Sequence, residues 1–83
     1  MGRYAGVKKN KIVSFLRWLN KQEGFEIVPG GKHYYNVKYR DWKRPHPISF
    51  KHNIMMKSLV ISLMKKVVET GVCTQDEFDK RVL

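Results

Sequence analysis

One cysteine in 83 residues excludes an internal disulfide, and no second Cys or His stands near Cys73 at zinc-ligand spacing. Cys73 reads as a small hydrophobic residue near a helix end. Long apolar runs are also missing. Stretches such as Leu59 to Met64 fall far short of the ~20 residues that a membrane span requires, and the opening "MGRYAGVKKNK" lacks the apolar core of a signal peptide. The expectation is a cytoplasmic protein with no membrane association. Neither an internal repeat nor a low-complexity segment is present, and this length suits one compact domain but not two.

Acidic side chains are scarce as well, with 7 Asp+Glu against 17 Lys+Arg, a formal charge of +10. The imbalance is local: residues 1 to 68 carry 15 basic and 3 acidic side chains, whereas residues 69 to 83 carry 2 and 4. So much positive charge on a small body suits a polyanionic partner, because each neutralised phosphate releases counterions. A solubility device or a ribosome-associated basic protein would carry the same charge.

Hydrophobic periodicity organises the rest. Ile12, Phe15, Leu16 and Leu19 fall at i, i+3, i+4 and i+7, which predicts a helix over Lys9 to Glu23 with Gly24 as its stop. "FEIVP" reads as a strand, "GG" at 30 and 31 as a hairpin turn, and Lys32 to Tyr39 as a second strand. The basic, proline-bearing "RDWKRPHP" reads as a loop, and "ISFK" as a third strand. "HN" suits a helix start, and Met56, Leu59, Val60, Leu63, Met64 and Val67 form a second apolar stripe that lasts to Gly71. Thr74 and Glu77 form a capping box that opens a short terminal helix through Phe78.

The predicted fold is therefore α+β, in the order α-β-β-β-α with a short C-terminal helix. Two helices would cover one face of a three-stranded antiparallel sheet, as in double-stranded-RNA-binding domains, and leave the other face wet. Residues 1 to 8 are expected to form a flexible basic leader ahead of a single domain over residues 9 to 83.

Alternation in the second strand places Tyr35, Val37 and Tyr39 on the core side and Lys32, Tyr34, Asn36 and Lys38 on the open side. In the third strand Ile48 and Phe50 would point inward, so Ser49 and Lys51 join the open face beside Lys43 and Arg44 of the loop. Lys32, Lys38, Lys43, Arg44 and Lys51 can hold phosphates, and Tyr34 or Trp42 offers a ring for an unpaired base. A solvated sheet face is polar in any case. His33 falls by strict alternation on the core side, yet it stands just after a double-glycine turn where a strand edge begins; both a packed and a proton-transferring role are open. His46, between two prolines, reads as a loop residue, and His52 as a capping or turn residue.

The helix, then "GFEIVPGGKHYYNV", then "PISFKHN" leading into "LVISLMKKVVETGVCTQDEFDKRV", resembles the HicA family of toxins, small mRNA interferases of bacterial and archaeal type II toxin–antitoxin modules. The similarity covers roughly residues 9 to 80. The family places a histidine after a glycine and a small or polar residue at the start of the second strand, a pattern that Gly31, Lys32 and His33 match. His52 is similar to a histidine commonly found after the third strand, and "GVCTQDEF" to the usual C-terminal stretch. Serine often precedes the family's histidine; here it is Lys32.

The resemblance implies a HicA-like domain that cleaves RNA without a metal or other cofactor, with His33 as the single catalytic histidine. It also implies mRNA as substrate, a HicB-like antitoxin as partner, and a monomer when free. The rival expectation is a non-catalytic RNA-binding module of the double-stranded-RNA-binding-domain type. Such modules commonly use a lysine cluster at the start of the second helix, where "NIMMKSL" supplies only Lys57.

Overall fold

In the computed structural model, residues 4–31 and 34–83 are described. The elements in chain order are β1 (Val7–Lys8), α1 (Lys9–Asn20), β2 (Phe25–Pro29), β3 (Tyr34–Tyr39), β4 (His46–Ser49), β5 (Ile54–Met55), α2 (Lys57–Glu69) and α3 (Gln75–Val82). The fold is α+β, with three helices and a three-stranded antiparallel sheet in the order β2-β3-β4. Strands β1 and β5 form a separate two-stranded ribbon. No helix among the described residues is long and apolar enough to cross a membrane.

The four apolar residues of α1 identified by their spacing, Ile12, Phe15, Leu16 and Leu19, are all buried. Helix α1 ends at Asn20 rather than at the predicted Glu23. The chain then tightens through two turns, and Gly24 takes a left-handed φ of +87°, where a side chain would also crowd Tyr39 and Arg40. Asn20 fastens this end to the sheet, because its Oδ1 accepts the Ile27 N–H at 2.9 Å.

Register divides the sheet into two faces. Phe25 pairs with Tyr39, Ile27 with Val37, and Val37 in turn with His46, while Tyr35 meets Ile48. These residues form the inner face, and Phe25, Val37 and Ile48 are buried there. Glu26 opposite Lys38, and Tyr34 opposite Ser49, belong to the outer face. The expected division of β3 therefore holds for its described residues. The core joins the inner face to Val60, Leu63 and Val67 of α2 and to Phe78 and Val82 of α3. Phe78 stands edge-on to Phe15, with centroids 5.0 Å apart.

Several boundaries differ from expectation. Strand β4 begins at His46 and ends at Ser49, instead of running from Ile48 to Lys51. Pro45 and Pro47 are compatible with this because β4 is an edge strand, where a missing N–H need not break a ladder. Phe50 lies beyond the last pair, half-buried and edge-on to Tyr35. Lys51 leaves the sheet altogether. It bonds Ile54 through both backbone groups, at 2.9 and 3.0 Å, across a tight turn in which His52 and Asn53 are both left-handed, with φ of 53° and 62°. Histidine and asparagine are among the residues that tolerate this conformation best, and it suits a two-residue hairpin. His52 is thus an exposed turn residue rather than a helix cap.

The expected loose leader is corrected over residues 4 to 8. Tyr4 and Val7 are buried, and Val7 pairs with Met55. The Tyr4 hydroxyl donates to Asp79 Oδ1 at 2.5 Å, and its ring lies edge-on to Phe78. Residues 1 to 3 lie outside the described residues. At the other end, the capping box forms as expected: Glu77 N–H donates to Thr74 Oγ1, and Thr74 N–H to Glu77 Oε1. This helix continues past Phe78 to Val82 because both residues reach the core.

Candidate nucleic-acid interface

Among the described residues, no element covers the outer face of the sheet: Tyr34 is 56 % exposed, and Lys38 is exposed. Of the residues expected to contact RNA, Tyr34, Lys38, Lys43, Arg44 and Lys51 are all exposed. Lys32 and the expected catalytic residue His33 lie outside the described residues.

The exposed group does not form one continuous patch. Tyr34 opens β3 across from Ser49, and Lys51 lies in the turn just beyond Ser49, so both belong to the same end of β3. Lys38 is four residues further along, about 13 Å at ordinary strand rise. There it joins Lys43 and Arg44 around a cleft of about 430 Å³, which Glu26, Arg40, Trp42 and Pro45 also line. The structure therefore brings Lys38, Lys43 and Arg44 together and sets them apart from Tyr34 and Lys51.

Arg40 escaped notice in the sequence, although it lies in the same basic run. Its N–H bonds the Gly24 carbonyl at 3.0 Å, and its guanidinium meets Glu23 at 3.4 Å. The adjacent Tyr39 hydroxyl, followed by the Glu23 carboxylate, raises the Arg40 pKa above its ordinary value.

The two candidate rings differ in their freedom. Trp42 is half-buried, edge-on to Phe25 at 5.9 Å and tilted against Tyr39 at 5.6 Å, with Lys66 Nζ 5.5 Å from its centroid. It anchors the loop and is poorly placed as a platform for a base. Tyr34 has the open ring.

His46 departs most from the sequence reading. It is the first residue of β4 rather than a loop residue, and its pairing with Val37 sets it on the inner face. Its Nε2 is buried with no hydrogen-bond partner among the described residues. Burial lowers its pKa below 6.5, and the nearby Lys66 charge lowers it further. The prolines on either side hid this position, because they read as loop. Period-two counting back from Ile48 was the signal that could have found it.

A second cleft, of about 510 Å³, opens between the start of α1 and the inner side of β3, with Lys8, Lys9, Val13, Tyr35 and Asn53 on its walls. Sequence reading missed it because Lys8 belonged to the expected leader and Asn53 to an expected cap. No group of three His, Cys, Asp or Glu residues is placed to hold a metal ion among the described residues. Cys73 is buried and unpaired in any disulfide, and burial raises its thiol pKa, which disfavours the reactive thiolate.

Comparison with protein-family models, with curated proteins and with solved structures yields no match to this chain.

Proposed function

We infer that this chain is a HicA-type toxin: a cytoplasmic endoribonuclease that cleaves mRNA without a metal and is held in check by a HicB-like antitoxin. The element order and the uncovered sheet face support a double-stranded-RNA-binding-domain-like frame for that activity. The observation that carries the reading is the placement of Tyr34. Directly after the glycine-glycine-lysine-histidine stretch, β3 opens on the uncovered face with this aromatic ring exposed and a lysine-bearing hairpin nearby.

The chemistry is transesterification. The ribose 2′-oxygen forms a bond to the adjacent phosphorus as the bond from phosphorus to the 5′-oxygen breaks, leaving a 2′,3′-cyclic phosphate and a 5′-hydroxyl. The imidazole of His33 can take the 2′-hydroxyl proton or supply one to the leaving oxygen. Lys32 offsets the charge that grows on the phosphate oxygens. The second proton passes through water, a lysine or another residue, and turnover is slow as a consequence. Lys38, Lys43, Arg44 and Lys51 hold backbone phosphates, and Tyr34 stacks on a base.

The test is incubation of the purified protein with a long RNA, with and without chelator, alongside His33→Ala. Cleavage should survive the chelator. The variant should lose a factor of about 100 to 10,000 in rate, with little change in melting temperature. Wild-type cleavage by the variant, or a wild-type protein that binds RNA without cutting it, sinks the catalytic reading and leaves the non-catalytic RNA-binding module.

A further inference from the structure

The exposed basic side chains expected to meet RNA divide between the two ends of β3, and the far end is a built cleft. Arg40 is tied to the Gly24 carbonyl and to Glu23. The Trp42 N–H bonds the Tyr39 carbonyl at 2.9 Å, and its ring is wedged among Phe25, Tyr39 and Lys66. Lys43 and Arg44 follow directly on this anchored tryptophan. The loop presents its charges from a fixed base, which reduces the entropy lost when they grip a ligand. Four cations, Lys38, Arg40, Lys43 and Arg44, line about 430 Å³ against one carboxylate, Glu26.

We propose that this cleft is a second phosphate subsite, which grips the backbone of a single RNA strand at a point removed from the bond being cleaved. The inference rests on the ribonuclease reading above and assigns that enzyme a requirement for extended substrate. Charge complementarity selects a polyanion, and arginine forks suit phosphate oxygens. The concave shape selects a single strand, because duplex RNA is read across its broad minor groove by side chains that span several base pairs. The separation of roughly 13 Å from Tyr34 makes the cleft a distinct contact. A dinucleotide has one phosphodiester group and can engage only one end of β3, whereas a longer strand engages both.

The experiment compares a 12-nucleotide single-stranded RNA with a dinucleoside monophosphate, using the wild-type protein and the double variant Lys43→Ala/Arg44→Ala. The wild type should prefer the longer substrate in kcat/KM, and the double variant should lose about tenfold of that preference through KM. The plot of log affinity against log salt for the 12-mer should become shallower by about 1.4, the value for two lost phosphate contacts on a single strand. An unchanged preference with an unchanged salt slope overturns the subsite. Loss of binding to an acidic protein partner, with RNA affinity and slope intact, also overturns it. Should the wild type cleave neither substrate, the ribonuclease reading fails separately, and the salt slope decides the subsite alone: a shallower slope supports it and an unchanged slope removes it.

Discussion

Val37 and Lys38 are neighbours in one strand and belong to different parts of the molecule. Val37 is fully buried between β2 and β4, beneath the helices, while Lys38 faces water at the rim of the basic cleft. A half turn of the strand separates the two environments. The covered face is an apolar interior in which volume and shape decide stability. The open face carries charge with little packing, so its residues can answer to a ligand instead of to the fold.

Substitutions can break that contrast most severely on the covered side. Phe78→Ala should cost about 3–5 kcal/mol, because Phe78 is fully buried and meets Phe15 and Tyr4 edge-on. Chemical unfolding followed by circular dichroism checks this; a cost below about 1 kcal/mol would mean that α3 is peripheral. Val37→Ala removes less volume and should cost about 1.5–3 kcal/mol, measured the same way.

His46 sharpens the comparison, being a polar residue on the apolar face. Its folded-state pKa lies below the ordinary 6.5, so the unfolded chain takes up the proton first. The stabilisation is complete above that ordinary value and is lost as pH falls through the lowered one. Urea midpoints at pH 7.5 and pH 5 should differ by less in His46→Gln than in the parent protein. An equal difference would assign the acid sensitivity to other groups. The smallest effect belongs to the open face: Lys38→Ala should change stability by no more than about 0.5 kcal/mol while making the salt dependence of RNA binding shallower. A large loss of stability there would dissolve the distinction between the faces.

The legible parts of this molecule were those with a local cause. The buried face of α1, the Thr74–Glu77 capping box and the alternation in β3 each follow from interactions within a few residues, and all three stand as expected. The candidate site was legible in part. Exposure of Tyr34, Lys38, Lys43, Arg44 and Lys51 followed from alternation and loop composition, but their division into two ends did not. Lys51 illustrates the reason: counting in twos placed it on the sheet, whereas the backbone bonds of a four-residue hairpin took it away.

The amino-acid sequence by itself determined the excess of positive charge, the two long amphipathic helices and which face of β3 meets water, since these depend on composition and on the fixed periods of helix and strand. Only the tertiary structure decided that Tyr4 and Val7 enter the core and that β1 finds β5. The physical reason is sequence distance. Val7 and Met55 lie far apart along the chain, and a two-residue strand is too short to show a period. Pairing at that range is settled by which surfaces remain uncovered after the helices have packed.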